Sequence, residues 1–169
     1  MHNMKDLIES IKKHEGFRGS VYLCSEGFET VGYGCRTPLS VSELMDLSES
    51  RVITGFGEGI DFPLSESEAE YLLRSRLSDI MKDITTRKPM LLKLPLFKQV
   101  IVYEMAYQLG VNGVLNFQKM FRALEGNYYA LASKEMLNSK WAKQTPNRAK
   151  VLSSKMASAS DDASFDVVN

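Results

Sequence analysis

The run Ser65-Glu-Ser-Glu68, followed by an apolar period reaching about Thr86, constrains this chain more than any other stretch. Ser65 can accept from the backbone amide three residues on, and Glu68 can reach back, which makes a capping box. Ala69, Leu72, Leu73, Leu77, Ile80 and Ile84 then recur at helical spacing. A helix over 65–86 is predicted, ~30 Å long at ~1.5 Å per residue and able to join two lobes.

The chain has 169 residues, which suits one domain, pinched in two, with a real core. Lys plus Arg and Asp plus Glu both number 21, so net charge argues neither for nor against a polyanionic partner. A local basic patch is still compatible with that balance. The N-terminus, MHNMKDLIESIKKH, has no uninterrupted apolar core and no small-residue cleavage site, so no signal peptide is expected. No apolar run reaches the ~18 residues of a membrane span, so no membrane insertion is expected. Two cysteines make no disulfide framework, and no metal-ligand spacing accompanies them; neither metal nor other cofactor is expected.

Upstream, Met4, Leu7, Ile8 and Ile11 fall at helical spacing, and a further step of four places Glu15 on the same apolar face. A carboxyl there is partly desolvated, which disfavours its charged form, as a general acid working near neutral pH requires. Spacing alone equally allows a solvated Glu at a frayed helix end. Val21-Tyr22-Leu23 and Glu29-Thr30-Val31 read as short strands, with turn chemistry at Glu26-Gly27 and tight backbone at Gly32 and Gly34. An acid, a thiol (Cys24) and a hydroxyl (Thr30) thus fall close together on a helix-to-hairpin unit.

A short helix is predicted within 40–52, and Gly55-Phe-Gly-Glu-Gly59 reads as a loop. Phe97, Val100, Ile101, Met105 and Gln108 mark a nearly all-apolar helix that Gly110 is expected to end. Two shorter helices follow over 117–124 and 128–137. Trp141 to Arg148 is read as a loop entering a last helix, with Asn147 as its cap or as a substrate contact. The tail after Lys155 is expected to be loosely held, with Phe165 as an anchor.

Two blocks of residues carry a resemblance. The first is Glu15-Gly16 with Glu26-Gly27-Phe-Glu-Thr30-Val-Gly32-Tyr-Gly34, and the second is Trp141 with Gln144-Thr145-Pro146-Asn147-Arg148-Ala149. Gln108-Leu-Gly110 with Gly113 adds weaker support. In this order and separation, over about residues 7–150, the chain resembles the phage-type lysozymes, those of the T-even bacteriophages in particular. The resemblance implies a mainly helical α+β, lysozyme-like fold in two lobes, formed by one domain over 1–169. A small β-hairpin lobe would span 15–64 and a connecting helix 65–86, with residues 1–14 and 87–169 forming the helical lobe.

It also implies a muramidase of the endolysin type that hydrolyses the β-1,4 bond between N-acetylmuramic acid and N-acetylglucosamine in bacterial peptidoglycan. The family's acid falls on Glu15, its water-orienting threonine on Thr30, and the arginine beside the acid on Arg148. The family's aspartate position holds Cys24, its nearby histidine position holds Cys35, and the aspartate that pairs with that histidine falls on Arg76. A Cys24 thiolate, as base or as nucleophile, would take over the missing carboxylate, with Arg76 or Arg148 as the cation that ionises it. The alternative is a catalytically impaired, lysozyme-like peptidoglycan-binding protein. A Cys24–Cys35 disulfide that masks the thiol is a further alternative.

Gln108 and Phe117 match the far wall of the family's substrate cleft, and Glu26 reads as a turn acid facing Lys140. Tyr22, Phe28 and Tyr33 line sugar subsites or pack as core. The expected protein is a monomer with peptidoglycan as its partner and no nucleic acid. It would be made in the host cytoplasm and act on the cell wall once a separately encoded holin opens the membrane.

Overall fold

In a computed structural model of the chain, residues 4–48 and 63–159 are described. The Gly55–Gly59 loop and the tail around Phe165 lie outside them. Among the described residues the protein is α+β and mainly helical, with one three-stranded antiparallel sheet in the order β1-β2-β3. Helix α1 is Met4–Glu15, β1 Arg18–Leu23, β2 Glu29–Gly32, β3 Cys35–Arg36 and α2 Val41–Ser48. The long helix α3 is Glu66–Arg87, and a 3-10 turn covers Pro89–Lys93. Helices α4 Leu96–Leu115, α5 Gln118–Glu125, α6 Tyr129–Leu137, α7 Lys140–Gln144 and α8 Pro146–Ala157 follow. The chain divides into two compact units, Ile8–Asp79 and Met1–Leu7 with Ile80–Asn169.

In the small unit, the start of α3 is capped as its sequence predicts. The Glu68 amide donates to Ser65 Oγ (3.2 Å), and the Ser65 amide donates to Glu68 Oε1 (3.2 Å). The same device opens α2, where Ser40 and Glu43 exchange amide bonds of 3.2 and 2.7 Å. Val31 and Cys35 are cross-strand partners whose side chains join Leu47, Leu64 and Leu72 in the core, with Leu39 and Leu44 packed against them. Tyr22, Thr30 and Arg36 form a second cross-strand row, since Tyr22 opposes Thr30 and Thr30 opposes Arg36. Directly opposed residues share a sheet face, so this row is distinct from the one that fills the core.

Arg76 bonds Glu43 through Nε to Oε1 (2.7 Å) and Nη2 to Oε2 (3.3 Å), tying α3 to the capping box of α2. Burial pushes the Glu43 carboxyl up, but Arg76 and the Ser40 amide and hydroxyl outweigh it and hold the group below its ordinary range. A depressed carboxylate stabilises the fold above its unfolded pKa and ceases to do so as pH falls through the folded one. Glu43→Gln is therefore expected to melt below wild type at neutral pH. The two should converge as the buffer is taken to acid pH, read by circular dichroism.

In the helical unit, Ile101 to Ala106 are all buried, so α4 runs through the middle of the core. Gly110 ends the first of two helical stretches that meet here across a kink, as its sequence predicts. It leaves helical dihedrals (φ 74°, ψ 159°), and the chain re-enters the helix and continues to Leu115. No atom lies within 4 Å of where its Cβ would sit, so glycine serves the positive φ here rather than close packing. The segment from Trp141 is not a loop: Ser139 caps the short helix α7 by accepting from the Ala142 amide (3.1 Å). Asn147 does not cap α8. Thr145 occupies that position without a side-chain cap bond, and Pro146 opens the helix.

Lys98, on α4, is fully buried. Its Nζ donates to the backbone oxygens of Lys155 (3.0 Å), Met156 (2.6 Å) and Ser158 (2.6 Å), so one ammonium closes the C-terminal end of α8. The rings of Phe97 and Tyr129 lie 4.6 and 4.7 Å from the same nitrogen.

Candidate active site

Glu15 is the last residue of α1, delivered by the face that buries Ile8 and Ile11. It is half-buried rather than splayed into solvent. Its carboxyl packs on the turn between β2 and β3, where a Cβ added at Gly34 would come within 2.9 Å of Glu15 Oε2. Gly34 has φ +77°, so glycine is required there both by conformation and by the carboxyl above it.

Cys24 sits just past β1, in a loop closed by two backbone bonds. The Cys24 amide donates to Phe28 O (2.9 Å) and the Gly27 amide to Cys24 O (2.8 Å). The thiol is held below its ordinary range, with the Phe28 backbone as the largest influence. The Glu26 backbone, the Thr30 hydroxyl and the Arg36 charge act the same way and together outweigh the partial burial that raises it. This is a thiol set up to ionise. The cation involved is Arg36, which the sequence reading overlooked, and not Arg76, whose guanidinium is taken by Glu43. Neither cysteine is in a disulfide, and Cys35 is buried in the core, so no disulfide masks Cys24.

Thr30 is buried, and its hydroxyl donates to Phe28 O (2.9 Å). It therefore lies beside both the loop carbonyl and the Cys24 sulfur, with one proton to share between them. Glu26 pairs with Arg36, whose guanidinium also stacks over the Phe28 ring at 3.9 Å. Glu26 thus anchors the cation that acts on Cys24. Tyr33 is buried, whereas Phe28 is about half exposed.

Tyr22 joins these groups. Its hydroxyl is pushed up by burial first, then by the charges of Glu15, Cys24 and Cys35, with Arg18 opposing. The Arg18 guanidinium lies 4.7 Å from its ring centre. Glu15 and Cys24 are therefore both within electrostatic reach of one phenol, and Thr30 is its cross-strand partner. The structure brings Glu15, Cys24 and Thr30 together in the small unit, with Glu26 alongside.

Three further candidates belong to the helical unit. Arg148, on α8, pairs with Glu104 on α4 (Nε to Oε1, 3.4 Å), and both side chains are buried. Gln108 accepts from Trp141 Nε1 (2.8 Å) and donates to Thr145 Oγ1 (3.5 Å), which fixes its amide. Phe117 stands edge-on to Trp141 with ring centres 6.1 Å apart. Gln108 and Phe117 are thus gathered around Trp141.

The phage lysozyme family profile matches residues 12–157, which takes in all seven candidate residues. The chain belongs to the phage lysozyme family. It is 30% identical over 154 residues to "Probable T4-type lysozyme 1" of Dictyostelium discoideum, covering 87% of this chain and 89% of that protein. It is 29% identical over 153 residues to the "Pre-baseplate central spike protein Gp5" of Enterobacteria phage T4, covering 85% of this chain. That match spans only 26% of the spike protein's length.

Proposed function

We propose that this protein is a muramidase that cleaves the β-1,4 bond between N-acetylmuramic acid and N-acetylglucosamine in bacterial peptidoglycan. Family membership and the names of the T4-type lysozyme relatives support the reaction class. The observation that carries the reading is the surround of Cys24. Two backbone groups, a hydroxyl and a guanidinium favour its thiolate, in the same unit as a half-buried carboxyl.

Hydrolysis needs a proton for the departing sugar oxygen and an electron-rich group on the opposite face of the ring. Glu15 gives its proton to that oxygen as the bond to the anomeric carbon breaks. The Cys24 thiolate takes a proton from the attacking water, or itself bonds to the anomeric carbon and is later displaced by water. Thr30 orients that water, and Glu26 holds Arg36 in place beside the sulfur. Arg148, Gln108 and Phe117 contact the substrate in this reading. The anomer first released from a defined oligosaccharide separates the two versions, since the first inverts the centre and the second retains it.

Cys24→Ser tests the proposal. Its hydroxyl cannot ionise near neutral pH, so clearing of cell walls should fall ~10²-fold or more, with the melting temperature unchanged. Cys24→Asp, which restores a carboxylate, should stay active. Full activity of Cys24→Ser would remove the thiol from the mechanism.

A further inference from the structure

A net charge of zero conceals a division between the two units. Within Ile8–Asp79 there are 13 Asp and Glu against 7 Lys and Arg, whereas Met1–Leu7 with Ile80–Asn169 carry 14 Lys and Arg against 8 Asp and Glu. The two sets of cations are also used differently. In the small unit, Lys12 and Arg74 pair with Glu70, Arg36 with Glu26 and Arg76 with Glu43. In the helical unit, Lys119, Arg122, Lys134, Lys140, Lys143 and Lys150 are all exposed. None of these six has an ion-pair partner among the described residues.

The six lie on α5, α6, α7 and α8, helices that pack against one another and carry only Glu125 and Glu135 as acids. Solubility alone is served by interspersed charges of both signs. Cations massed without acids repel one another and cost stability, a cost that a bound polyanion relieves. Five of the six are lysines, point charges on flexible stems. They suit a flexible chain of phosphodiesters better than the fixed planar geometry that arginine reads in pairs of bonds.

We infer that the α5–α8 surface docks an anionic, phosphodiester-bearing polymer of the bacterial wall and so retains the enzyme beside its glycan. The choice of a wall polymer rests on the muramidase reading; the cationic surface itself does not. The surface concentrates the enzyme where its substrate is and takes no part in bond cleavage.

The test measures binding of the inactive Glu15→Gln protein to purified walls before and after acid stripping of their polyol-phosphate chains. A second protein adds Lys119→Glu, Lys134→Glu and Lys143→Glu, with its melting temperature as the check on folding. Stripping the walls, or reversing the three charges, should each weaken binding at least ~10-fold. Raising salt from ~50 to ~200 mM should weaken binding to intact walls by a similar factor or more, as counterion release requires. Equal binding to stripped and intact walls would overturn the inference. Tighter binding to anionic phospholipid vesicles or to double-stranded DNA than to intact walls would overturn it too. Cleavage of soluble glycan fragments by wild type tests the muramidase reading separately, so either idea can fail without the other.

Discussion

Glu15→Gln is expected to clear bacterial cell walls ~10²–10⁴-fold more slowly than wild type, the usual contribution of a positioned general acid. The substitution keeps the shape of the side chain and removes only the transferable proton. Glu15 is half-buried on the turn at Gly34, where its Oε2 would lie 2.9 Å from an added Cβ, so an isostere fits the same space. An unchanged melting temperature is therefore part of the prediction. Turbidity loss of a wall suspension measures the rate. A variant within threefold of wild type would mean that the proton comes from elsewhere.

Lys98→Met should have the largest effect on stability. The methionine keeps most of the apolar stem, so packing against Phe97 and Tyr129 changes little. Three backbone oxygens at the end of α8 nevertheless lose their donor. Replacing a buried ion by an apolar group can be neutral when both partners go, but here the acceptors are main chain and stay. Burial lowers the ammonium to about 8, so it is still mostly charged at pH 7 and able to donate three bonds. A loss of ~3 kcal/mol is expected, which for a chain of this size lowers the melting temperature by roughly 6–12 °C. A drop under 2 °C would show that water replaces the ammonium at no cost.

Much of this was legible because it depends on periods of three to four residues and on local caps. The apolar stripe from Ala69 to Ile84 predicts α3 to within a residue at each end, and its capping box forms as written. The same rule applies to the identical box at Ser40 and Glu43, which forms too. Strand β3 is only two residues long, too short for any alternation to register, yet it places Arg36 opposite Thr30. That register, hidden in the sequence, puts Arg36 beside the thiol where the resemblance points to Arg76 or Arg148. Arg76 is drawn off by Glu43, 33 residues away in sequence, a pairing that no local pattern encodes. Gly110 carries a stop signal and the helix breaks there, with a second short stretch running on to Leu115 across the kink.

The central claim, that a Cys24 thiolate works opposite the Glu15 proton, is tested most directly by alkylating the thiol while activity is followed. Cys35 is buried in the core, so iodoacetamide should modify Cys24 selectively, as peptide mapping would verify. Alkylation should rise with pH around a midpoint below that of an ordinary thiol, and wall clearing should disappear in step with it. Fully alkylated protein that clears walls at the wild-type rate would contradict the claim.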